Sequence, residues 1–462
     1  MKTHFLIHRL ALLFCTFFGL TAFAATEPPR PNILFILADD LGRNDVGFMG
    51  CQDIQTPHID RLARDGAILD AFYVQPVCSP TRSAFLTGRY PMRYGLQVGV
   101  VRPHAQYGLP LEERTLSQGL KEAGYETAIV GKWHLGSVQP AYLPTQRGFD
   151  HQYGHYNGAL DYFTHKRDGG HDWHRDDKAN YDEGYATELI GRESARRIRE
   201  RDTSKPLFLY VSFNAVHSPH QVPDKYLKPY GNLKGVRRIY AGMVAAMDEA
   251  IGEVLKAVEE EGLRDTTLIL FSSDNGGPQP GKVTDNGLYR AGKGTLYEGG
   301  VRVAASATWP GHIESGTVIK APMHIVDFYP TLLKLAGAPL DQKLPLDGRD
   351  IWPVLADSKP SPHDSILLNV TPDEGAVRVG DWKLVRRTPV MGRLPARREI
   401  VELFDLSADP HEKTNLAEAE PDKLKELSAV LDQYTKQAAP PRQAPIAPDF
   451  KVPTVWGESA SK

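Results

Sequence analysis

Cysteine, net charge and long apolar runs are all scarce in this chain. It has three cysteines in 462 residues, Cys15, Cys51 and Cys78, and a formal net charge of −3 at pH 7. A chain with so little net charge has no basic field for nucleic acid, so we expect no nucleic-acid partner. Beyond the N-terminal segment, no apolar stretch approaches the length that spans a bilayer, so we expect no membrane contact in the mature protein.

The first residues have the pattern of a secretory signal peptide. Basic residues precede the apolar run 10–18, and Ala22-Phe23-Ala24 fits the small-x-small rule for cleavage. A retained N-terminal anchor is the alternative, but the apolar run is short for a membrane span. Assigning residues 1–24 to a signal peptide predicts an exported protein, periplasmic or secreted.

Apolar runs alternate with helical stretches through residues 25–360, which we assign to one large domain. This alternation predicts an α/β fold with a mixed, mostly parallel sheet between helices. The strand-like runs are 32–37, 68–74, 127–131, 207–213 and 267–272, and the helical stretches are 58–65, the residues after Cys78, 116–123, 183–200 and 238–261.

The sequence changes character near residue 361. Short strand-like runs joined by turns occupy 366–370, 376–379, 382–386 and 400–406, and a helix is predicted over 422–437. These features predict a small antiparallel subdomain with one helix over residues 361–440. Residues 441–462 are rich in proline and predict an extended strap or tail.

Polar side chains stand where two of the apolar strands end. Asp39 and Asp40 follow the first strand, and Asp274 and Asn275 follow a later one. Ligands bind at the carboxyl ends of the strands in open α/β sheets, and adjacent carboxylates repel unless a cation compensates them. Hard oxygen ligands suit Ca²⁺ or Mg²⁺ rather than zinc. The alternatives are a turn capped by one aspartate and an Asp-Asn-Gly hairpin turn, although no partner strand follows at once.

Basic side chains follow other strands or lie in glycine-rich sequence. Lys132 and His134 come after one strand, His217 after another, and Lys293 lies in a glycine-rich loop. Taken singly, each has an ordinary interpretation as a surface lysine, a packed histidine or a flexible loop. His217 and His220 could suggest zinc, but no third soft ligand lies near them in the sequence.

The most informative segment is Cys78-Ser-Pro-Thr-Arg82, continued as Ser-Ala-Phe-Leu-Thr87-Gly88-Arg89. One interpretation is an ordinary buried thiol at a helix start, with Ser79 as N-cap and Pro80 in the first turn. The combination of Cys, Pro two residues later, Arg four residues later and a distal Thr-Gly resembles the signature of the type I sulfatase family.

The resemblance extends from about Pro31 to Trp456 and is strongest to the arylsulfatase B (N-acetylgalactosamine-4-sulfatase) branch of that family, in segments such as 73–95 and 125–136. It implies an alkaline-phosphatase-like fold, with residues 25–360 as the catalytic domain. The chain departs from the family pattern at Arg43 and Ala304, which match no catalytic position.

The resemblance also implies the parts of the active site. Cys78 would be oxidised to Cα-formylglycine (3-oxoalanine) by a formylglycine-generating or other maturation enzyme. The implied ligands of a Ca²⁺ or Mg²⁺ ion are Asp39, Asp40, Cys78, Asp274 and Asn275. The implied catalytic residues are Cys78, Arg82, Lys132, His134, His217 and Lys293.

Each of these residues receives a role from the same resemblance. The hydrated aldehyde at position 78 would attack sulfur with one hydroxyl, and Arg82 would hold the hydrated aldehyde in place. His134 would take the proton of the second hydroxyl, so that sulfate leaves by elimination. Lys132, His217 and Lys293 would grip the sulfate oxygens or protonate the leaving alcohol.

Residues 148–177 interleave aromatic with polar side chains and are candidates for sugar contact. Such side chains can stack on a pyranose face and hydrogen-bond its hydroxyls, although a polar surface loop is the alternative. The predicted contacts are Tyr156, Asn157, Asp161, Trp173 and His174.

The predicted function is hydrolysis of a carbohydrate sulfate monoester, with a sulfated glycan as substrate. The resemblance favours the 4-O-sulfate of galactose or N-acetylgalactosamine units. The alternatives are a phosphomonoester or phosphonate hydrolase of the same fold and an inactive protein that binds sulfated glycans.

Overall fold

The structure is a computed structural model that describes residues 30–388, 390–391, 394–395, 399–443 and 445–458. The predicted signal peptide, residues 1–24, lies outside the described residues. Within the part described, no helix combines the length and the apolar character needed to cross a membrane.

The described residues form twenty strands, ten α-helices and seven short 3₁₀ helices. The strands are β1 (Asn32–Ala38), β2 (Ala67–Leu69), β3 (Phe72–Tyr73), β4 (Glu126–Lys132), β5 (His151–His155), β6 (Lys166–Arg167), β7 (Gly170–His171), β8 (His174–Arg175), β9 (Lys178–Ala179), β10 (Leu207–Ser212), β11 (Thr267–Ser273), β12 (Ala305–Thr308), β13 (Thr317–Ile319), β14 (Met323–His324), β15 (Ile366–Val370), β16 (Glu374–Val379), β17 (Trp382–Arg387), β18 (Val390–Met391), β19 (Leu394–Pro395) and β20 (Ile400–Asp405). The α-helices are α1 (Pro57–Asp65), α2 (Cys78–Thr87), α3 (Leu116–Glu122), α4 (Ala186–Arg199), α5 (Asp224–Leu227), α6 (Gly235–Glu260), α7 (Glu298–Val301), α8 (Phe328–Leu335), α9 (Trp352–Asp357) and α10 (Pro421–Lys436). The 3₁₀ helices are Gly47–Met49, Pro91–Arg93, Pro140–Tyr142, Pro144–Arg147, Lys228–Tyr230, Arg264–Thr266 and Ile325–Asp327.

A ten-stranded sheet runs through the large domain in the order β13-β2-β12-β11-β1-β10-β4-β5-β8-β9. The five central strands, from β11 to β5, are parallel to one another. Antiparallel pairs lie toward the two ends of the sheet, at β11–β12, β12–β2, β5–β8 and β8–β9. The prediction of a mixed, mostly parallel sheet is therefore confirmed.

The central strands are apolar along their whole length because both faces of the sheet are covered. In β1, Phe35 points into the core on the side of α2 and α8, where its ring centroid lies 4.4 Å from that of Phe85 and 5.6 Å from that of Phe328. The neighbouring Leu34 and Ile36 join the other core, with α4 and α6. Two helical layers thus hold the strand ends rigidly in place.

The predicted strand over 68–74 is interrupted. The structure has β2 and β3 on either side of a turn at Asp70-Ala71, and β3 pairs with β14 rather than with the large sheet. The predicted helix over 183–200 begins only at Ala186. The other predicted helices and strands of the large domain match the observed bounds to within three residues at each end.

The C-terminal subdomain is a four-stranded antiparallel sheet, β15-β16-β17-β20, covered by α10. The predicted antiparallel sheet with one helix is confirmed. Lys383 of β17 is fully buried and joins this sheet to the large domain through Glu298, 2.9 Å away. Its second partner, Glu412 at 2.8 Å, belongs to the C-terminal subdomain itself.

The residues after α10 run as an extended strap along the large domain. The backbone N–H of Ala439 donates to Met92 O at 2.7 Å, and that of Arg442 donates to Gly95 O at 2.7 Å. Further on, Trp456 is buried, and its backbone N–H donates to His171 O at 2.9 Å.

Candidate active site

The chemically active side chains gather at one edge of the ten-stranded sheet. The carboxyl ends of β1, β4, β10 and β11 lie side by side there because these strands are parallel neighbours. Asp39 and Asp40 follow β1, Lys132 ends β4, His217 follows β10, and Asp274 and Asn275 follow β11.

Cys78 is the first residue of α2 and is 2% exposed. Val77, not Ser79, occupies the N-cap position. The Ser79 hydroxyl instead donates to the backbone oxygen of His134 at 2.9 Å and accepts from the N–H of Val101 at 3.1 Å. Burial raises the pKa of the Cys78 thiol to about 11. The unmodified side chain is thus a protonated thiol at neutral pH.

Arg82 lies one turn along α2 from Cys78 and has no exposed surface. Its Nη2 and Nε donate to Asp274 Oδ2 at 2.8 and 3.1 Å. Its Nη1 donates to Lys132 O at 3.3 Å and to the Ser212 hydroxyl. Arg82 therefore joins the Cys78 helix to three strand ends.

Two lysines reach the carboxylates that follow β1. Lys132 Nζ contacts Asp39 Oδ2, and Lys293 Nζ lies 2.6 Å from Asp40 Oδ1. Burial works to lower the pKa of Lys293, but the negative groups around it raise that pKa above its ordinary value. Burial likewise works to raise the pKa of Asp40, but His217 and Lys293 hold it below its ordinary value. Both groups are charged at neutral pH.

His134 has a left-handed backbone, with φ of 60°, which is uncommon outside glycine and is often found at functional sites. Burial and the positive charges of Lys132 and Arg82 hold its pKa well below the ordinary value, so the imidazole is neutral at neutral pH. A Cβ on Gly158 would lie 2.3 Å from the His134 ring. Only glycine therefore fits beside this ring.

His217 belongs to the same cluster, with Nε2 3.6 Å from Asp40 Oδ2 and Nδ1 2.6 Å from Ser218 O. His220 points elsewhere and packs edge-on against Tyr240.

The cluster offers a set of ligand atoms that could hold a metal ion. Asp39, Asp40, Cys78 and His217 each offer one potential ligand atom within 4.8 Å of the others. Asp39 Oδ1 and Asn275 Oδ1 are fully buried and accept no hydrogen bond from any described residue. A buried oxygen without a donor costs about 1–3 kcal/mol, a cost that a bound cation would remove. Asp274 is not in the four-residue group, and its Oδ2 is bound by Arg82.

The predicted sugar contacts lie mostly inside the protein. Trp173 has no exposed surface and stacks on His165, with ring centroids 4.5 Å apart, so it is a core residue rather than a platform for a sugar. Tyr156 and His174 are buried and stack on each other at 4.0 Å. Their burial leaves no ring face open to a saccharide in this structure, and contact of these aromatics with a sugar stays a prediction.

Asn157 and Asp161 also have internal partners. Asn157 is buried, and its Nδ2 donates to Asp172 Oδ2 at 2.9 Å. Asp161 accepts from the N–H groups of Phe163 and Thr164 at 3.0 and 2.8 Å. Aromatic and polar residue types were a poor guide here, because they do not reveal which other segments cover them.

Three supporting residues were not predicted. Ser212 accepts from Arg82 and donates to Lys132 O at 2.7 Å. Asp172 accepts from the N–H groups of Tyr156 and Asn157, both at 2.9 Å. The Tyr162 hydroxyl lies 2.8 Å from His217 O. Only Ser212, at the end of an apolar strand, had a position in the sequence that could have indicated its role.

Comparisons with known proteins agree with this geometry. The sulfatase family model matches residues 31–338. Arylsulfatase J of Mus musculus is 38% identical over 91% of this chain and 78% of its own length. The chain belongs to the sulfatase family. As a sulfatase, it is a hydrolase of sulfate esters. A second family model, N-sulphoglucosamine sulphohydrolase, C-terminal, matches residues 286–438.

Two further similar proteins show how far the similarity extends. N-acetylgalactosamine-6-sulfatase of Mus musculus is 34% identical over 74% of this chain and 69% of its own length. The crystal structure of Ps i-CgsB in complex with k-i-k-neocarrahexaose has a TM-score of 0.82 at 32% identity, over 89% of this chain and 94% of that one. The sulfatase fold implied by the sequence is confirmed.

Proposed function

We propose that this sulfatase removes the 4-O-sulfate from galactose or N-acetylgalactosamine units of sulfated glycans, after Cys78 has been converted to formylglycine. The observation that carries the proposal is the position of Cys78. This residue stands at the start of α2, beside the carboxylates of Asp39 and Asp40 and within the field of Lys132 and Lys293.

Each group of side chains has a separate role in the proposed reaction. Sulfate oxygens carry negative charge that repels a nucleophile, and Lys132, Lys293 and His217 supply fixed positive groups to bind them. A divalent cation held by Asp39, Asp40, Cys78, Asp274 and Asn275 would add further fixed positive charge for a sulfate oxygen. The residue types favour Ca²⁺ or Mg²⁺.

Position 78 supplies the nucleophile in this proposal. A hydrated formylglycine offers one hydroxyl to attack sulfur and keeps a second for the release of sulfate. His134 is neutral, and its Nδ1 accepts no hydrogen bond from the described residues. It is therefore suited to take the proton of that second hydroxyl. Arg82 positions α2, and with it residue 78, against Asp274.

The sequence resemblance and the names of similar proteins both support a substrate whose sulfated sugar has the galacto-configuration. N-acetylgalactosamine-6-sulfatases are among the similar proteins, and Ps i-CgsB was crystallised with a neocarrahexaose. These names do not agree on one sulfate position, so the 4-position rests on the resemblance to the arylsulfatase B branch.

The decisive experiment is desulfation of matched saccharides by the protein co-produced with a formylglycine-generating enzyme. Galactose and N-acetylgalactosamine units carrying 4-sulfate should react faster than the same units carrying 6-sulfate, and faster than sulfated glucosamine. A preference for 6-sulfate would refute the 4-position, and a preference for glucosamine would refute the galacto-configuration. Faster turnover of 4-nitrophenyl phosphate than of 4-nitrophenyl sulfate would favour the phosphohydrolase alternative.

We further propose that the protein is exported to the periplasm or secreted after removal of residues 1–24. The support is the N-terminal pattern of basic residues, an apolar run and Ala22-Phe23-Ala24. N-terminal sequencing of the mature protein should begin at Ala25. Retention of Met1 in active protein would contradict this proposal.

A further inference from the structure

A cleft of about 720 Å³ contains none of the residues of the proposed catalytic cluster. Its walls are formed by residues 163–171, residues 181–183 and the strap at 452–454. Three large apolar side chains line it and are exposed, namely Phe163 at 45%, Tyr181 at 69% and Val452 at 41%. Two of these side chains, Phe163 and Tyr181, are aromatic. Exposed aromatic rings that line one concave surface are unusual for an ordinary surface loop and typical of a ligand site.

The cleft is connected to the catalytic cluster through one short segment. The Tyr162 hydroxyl lies 2.8 Å from His217 O and 2.7 Å from Asn214 O, in the loop that follows β10. Phe163 is the next residue, and its backbone N–H donates to Asp161 Oδ1 at 3.0 Å. Gln221, from the loop that carries His217, donates to the other oxygen of Asp161 at 2.7 Å. The backbone of Phe163 is thus tied to the His217 loop through Asp161.

The opposite wall is held by backbone hydrogen bonds. The N–H of His171 donates to Thr454 O at 2.8 Å, and the N–H of Trp456 donates to His171 O at 2.9 Å. The indole N–H of Trp456 donates to Arg167 O at 2.8 Å. The cleft is therefore preformed, which reduces the entropy lost when a ligand binds.

The charges in the cleft indicate which sugar it would take. Asp168, Asp182 and Glu183 line it together with Lys166, and two of these carboxylates are in ion pairs, Asp168 with Arg167 at 3.2 Å and Asp182 with Arg175 at 3.5 Å. The residues that line the cleft have no excess of basic groups with which to bind a sulfate ester, whereas their carboxylates can accept hydrogen bonds from the hydroxyls of an uncharged sugar. Exposed aromatic rings supply the flat apolar surface on which a pyranose can lie.

We propose that this cleft is a saccharide subsite that binds an unsulfated sugar unit of the same glycan chain whose sulfated unit reaches Cys78. The inference rests on the proposed function and deepens it. If so, the preferred substrate is an oligosaccharide or polysaccharide that contains both sulfated and unsulfated units. Binding of the unsulfated unit in the cleft positions the sulfate ester of the other unit at Cys78.

The first test compares a long substrate with a short one. Phe163→Ala and Tyr181→Ala should each raise KM for a sulfated galactan hexasaccharide roughly three- to tenfold, the loss expected from one aromatic contact. The kcat for the hexasaccharide, and the kcat/KM for 4-nitrophenyl sulfate, should stay unchanged because that small ester does not reach the cleft. Val318→Ala is the matched control, since Val318 is 50% exposed on an edge strand at the other end of the sheet.

Equal losses on both substrates, or no change in the hexasaccharide KM, would overturn the proposal. A second test is independent of turnover. Isothermal titration of the full chain with neoagarohexaose, an uncharged galactan hexasaccharide, should detect binding that Phe163→Ala weakens and Val318→Ala does not. Absence of binding to the wild-type chain would overturn the subsite even if the protein proves an active sulfatase. Binding with no turnover of any sulfate ester would instead support the subsite while refuting the proposed function.

Discussion

Arg82 and Asp274 form an ion pair with no exposed surface, in which two guanidinium nitrogens reach the same carboxylate oxygen at 2.8 and 3.1 Å. The pair connects α2, which begins with Cys78, to the loop that follows β11. Removing one partner of a buried ion pair leaves an uncompensated charge and costs about 3–5 kcal/mol. This one contact therefore ties the stability of the fold to the position of the proposed nucleophile.

Asp274→Asn should lower the free energy of unfolding by about 3 kcal/mol, the lower end of the range, because Arg82 loses the nearer of its two buried carboxylates and keeps Asp39 at 3.6 Å. It should also abolish the stabilisation that Ca²⁺ or Mg²⁺ gives to the wild-type protein, measured as a rise in Tm with added ion. Asn275→Ala keeps the Arg82 pair intact, costs about 1–3 kcal/mol through the lost hydrogen bond to Asp40 Oδ1, and should remove the ion-dependent rise. Asp341→Asn, at an exposed position, is the control. A normal ion-dependent rise in both site variants would contradict the assignment of these ligands.

Cys78 should be converted to formylglycine when the protein is co-produced with a maturation enzyme. The tryptic peptide of residues 65–82 should then be about 18 Da lighter than its thiol form and should react with an aldehyde probe. Cys51 is an internal control, since its peptide from the same digest should keep the mass of a free thiol. Full activity in a preparation that carries only the thiol at position 78 would contradict the proposed chemistry.

Lys293→Ala should reduce kcat/KM for a sulfate ester on the order of a hundredfold, the usual effect of removing one preorganised charge-stabilising group. Lys282→Ala is a matched control, because Lys282 lies in the same connection between β11 and α7 but is exposed. Steady-state kinetics on 4-nitrophenyl sulfate measure both effects. If the two variants behaved alike, Lys293 would be a structural partner of Asp40 and not a group that binds sulfate.

His324 should make the protein less stable in mild acid. Burial lowers the pKa of His324 to about 3, so its imidazole stays neutral in the folded state. In the unfolded chain the same imidazole is protonated below about pH 6.5. This residue's contribution to stability is fully present above pH 6.5 and is lost as the pH falls from 6.5 toward 3, by about 2 kcal/mol at pH 5. Denaturant unfolding at pH 7 and pH 5 measures this effect. The free energy of unfolding should fall less between the two pH values for His324→Gln than for the wild type. Equal losses in the two proteins would contradict this account.

The catalytic cluster could be predicted from the sequence because the topology of a parallel sheet turns sequence position into spatial position. Most of the polar segments followed an apolar run, and parallel neighbours bring the ends of such runs to one edge, whereas Cys78 begins a helix and Lys293 lies in a glycine-rich loop. Asp39, Lys132 and Asp274 therefore meet there although they are far apart along the chain. The partners of these groups, such as Ser212 for Arg82, depended on side-chain reach and could not be predicted in the same way.

The sequence by itself determined the alternation of helices and strands, the place of each polar segment at a strand end and the family signature around Cys78. These are local properties, set by hydrophobic periodicity and residue type. Only the tertiary structure decided which aromatic side chains face solvent. Trp173 is covered by His155, His165 and Tyr153, whereas Phe163 and Tyr181 remain exposed in the cleft. The physical reason is that exposure depends on which distant segments pack over a side chain, and residue type does not carry that information.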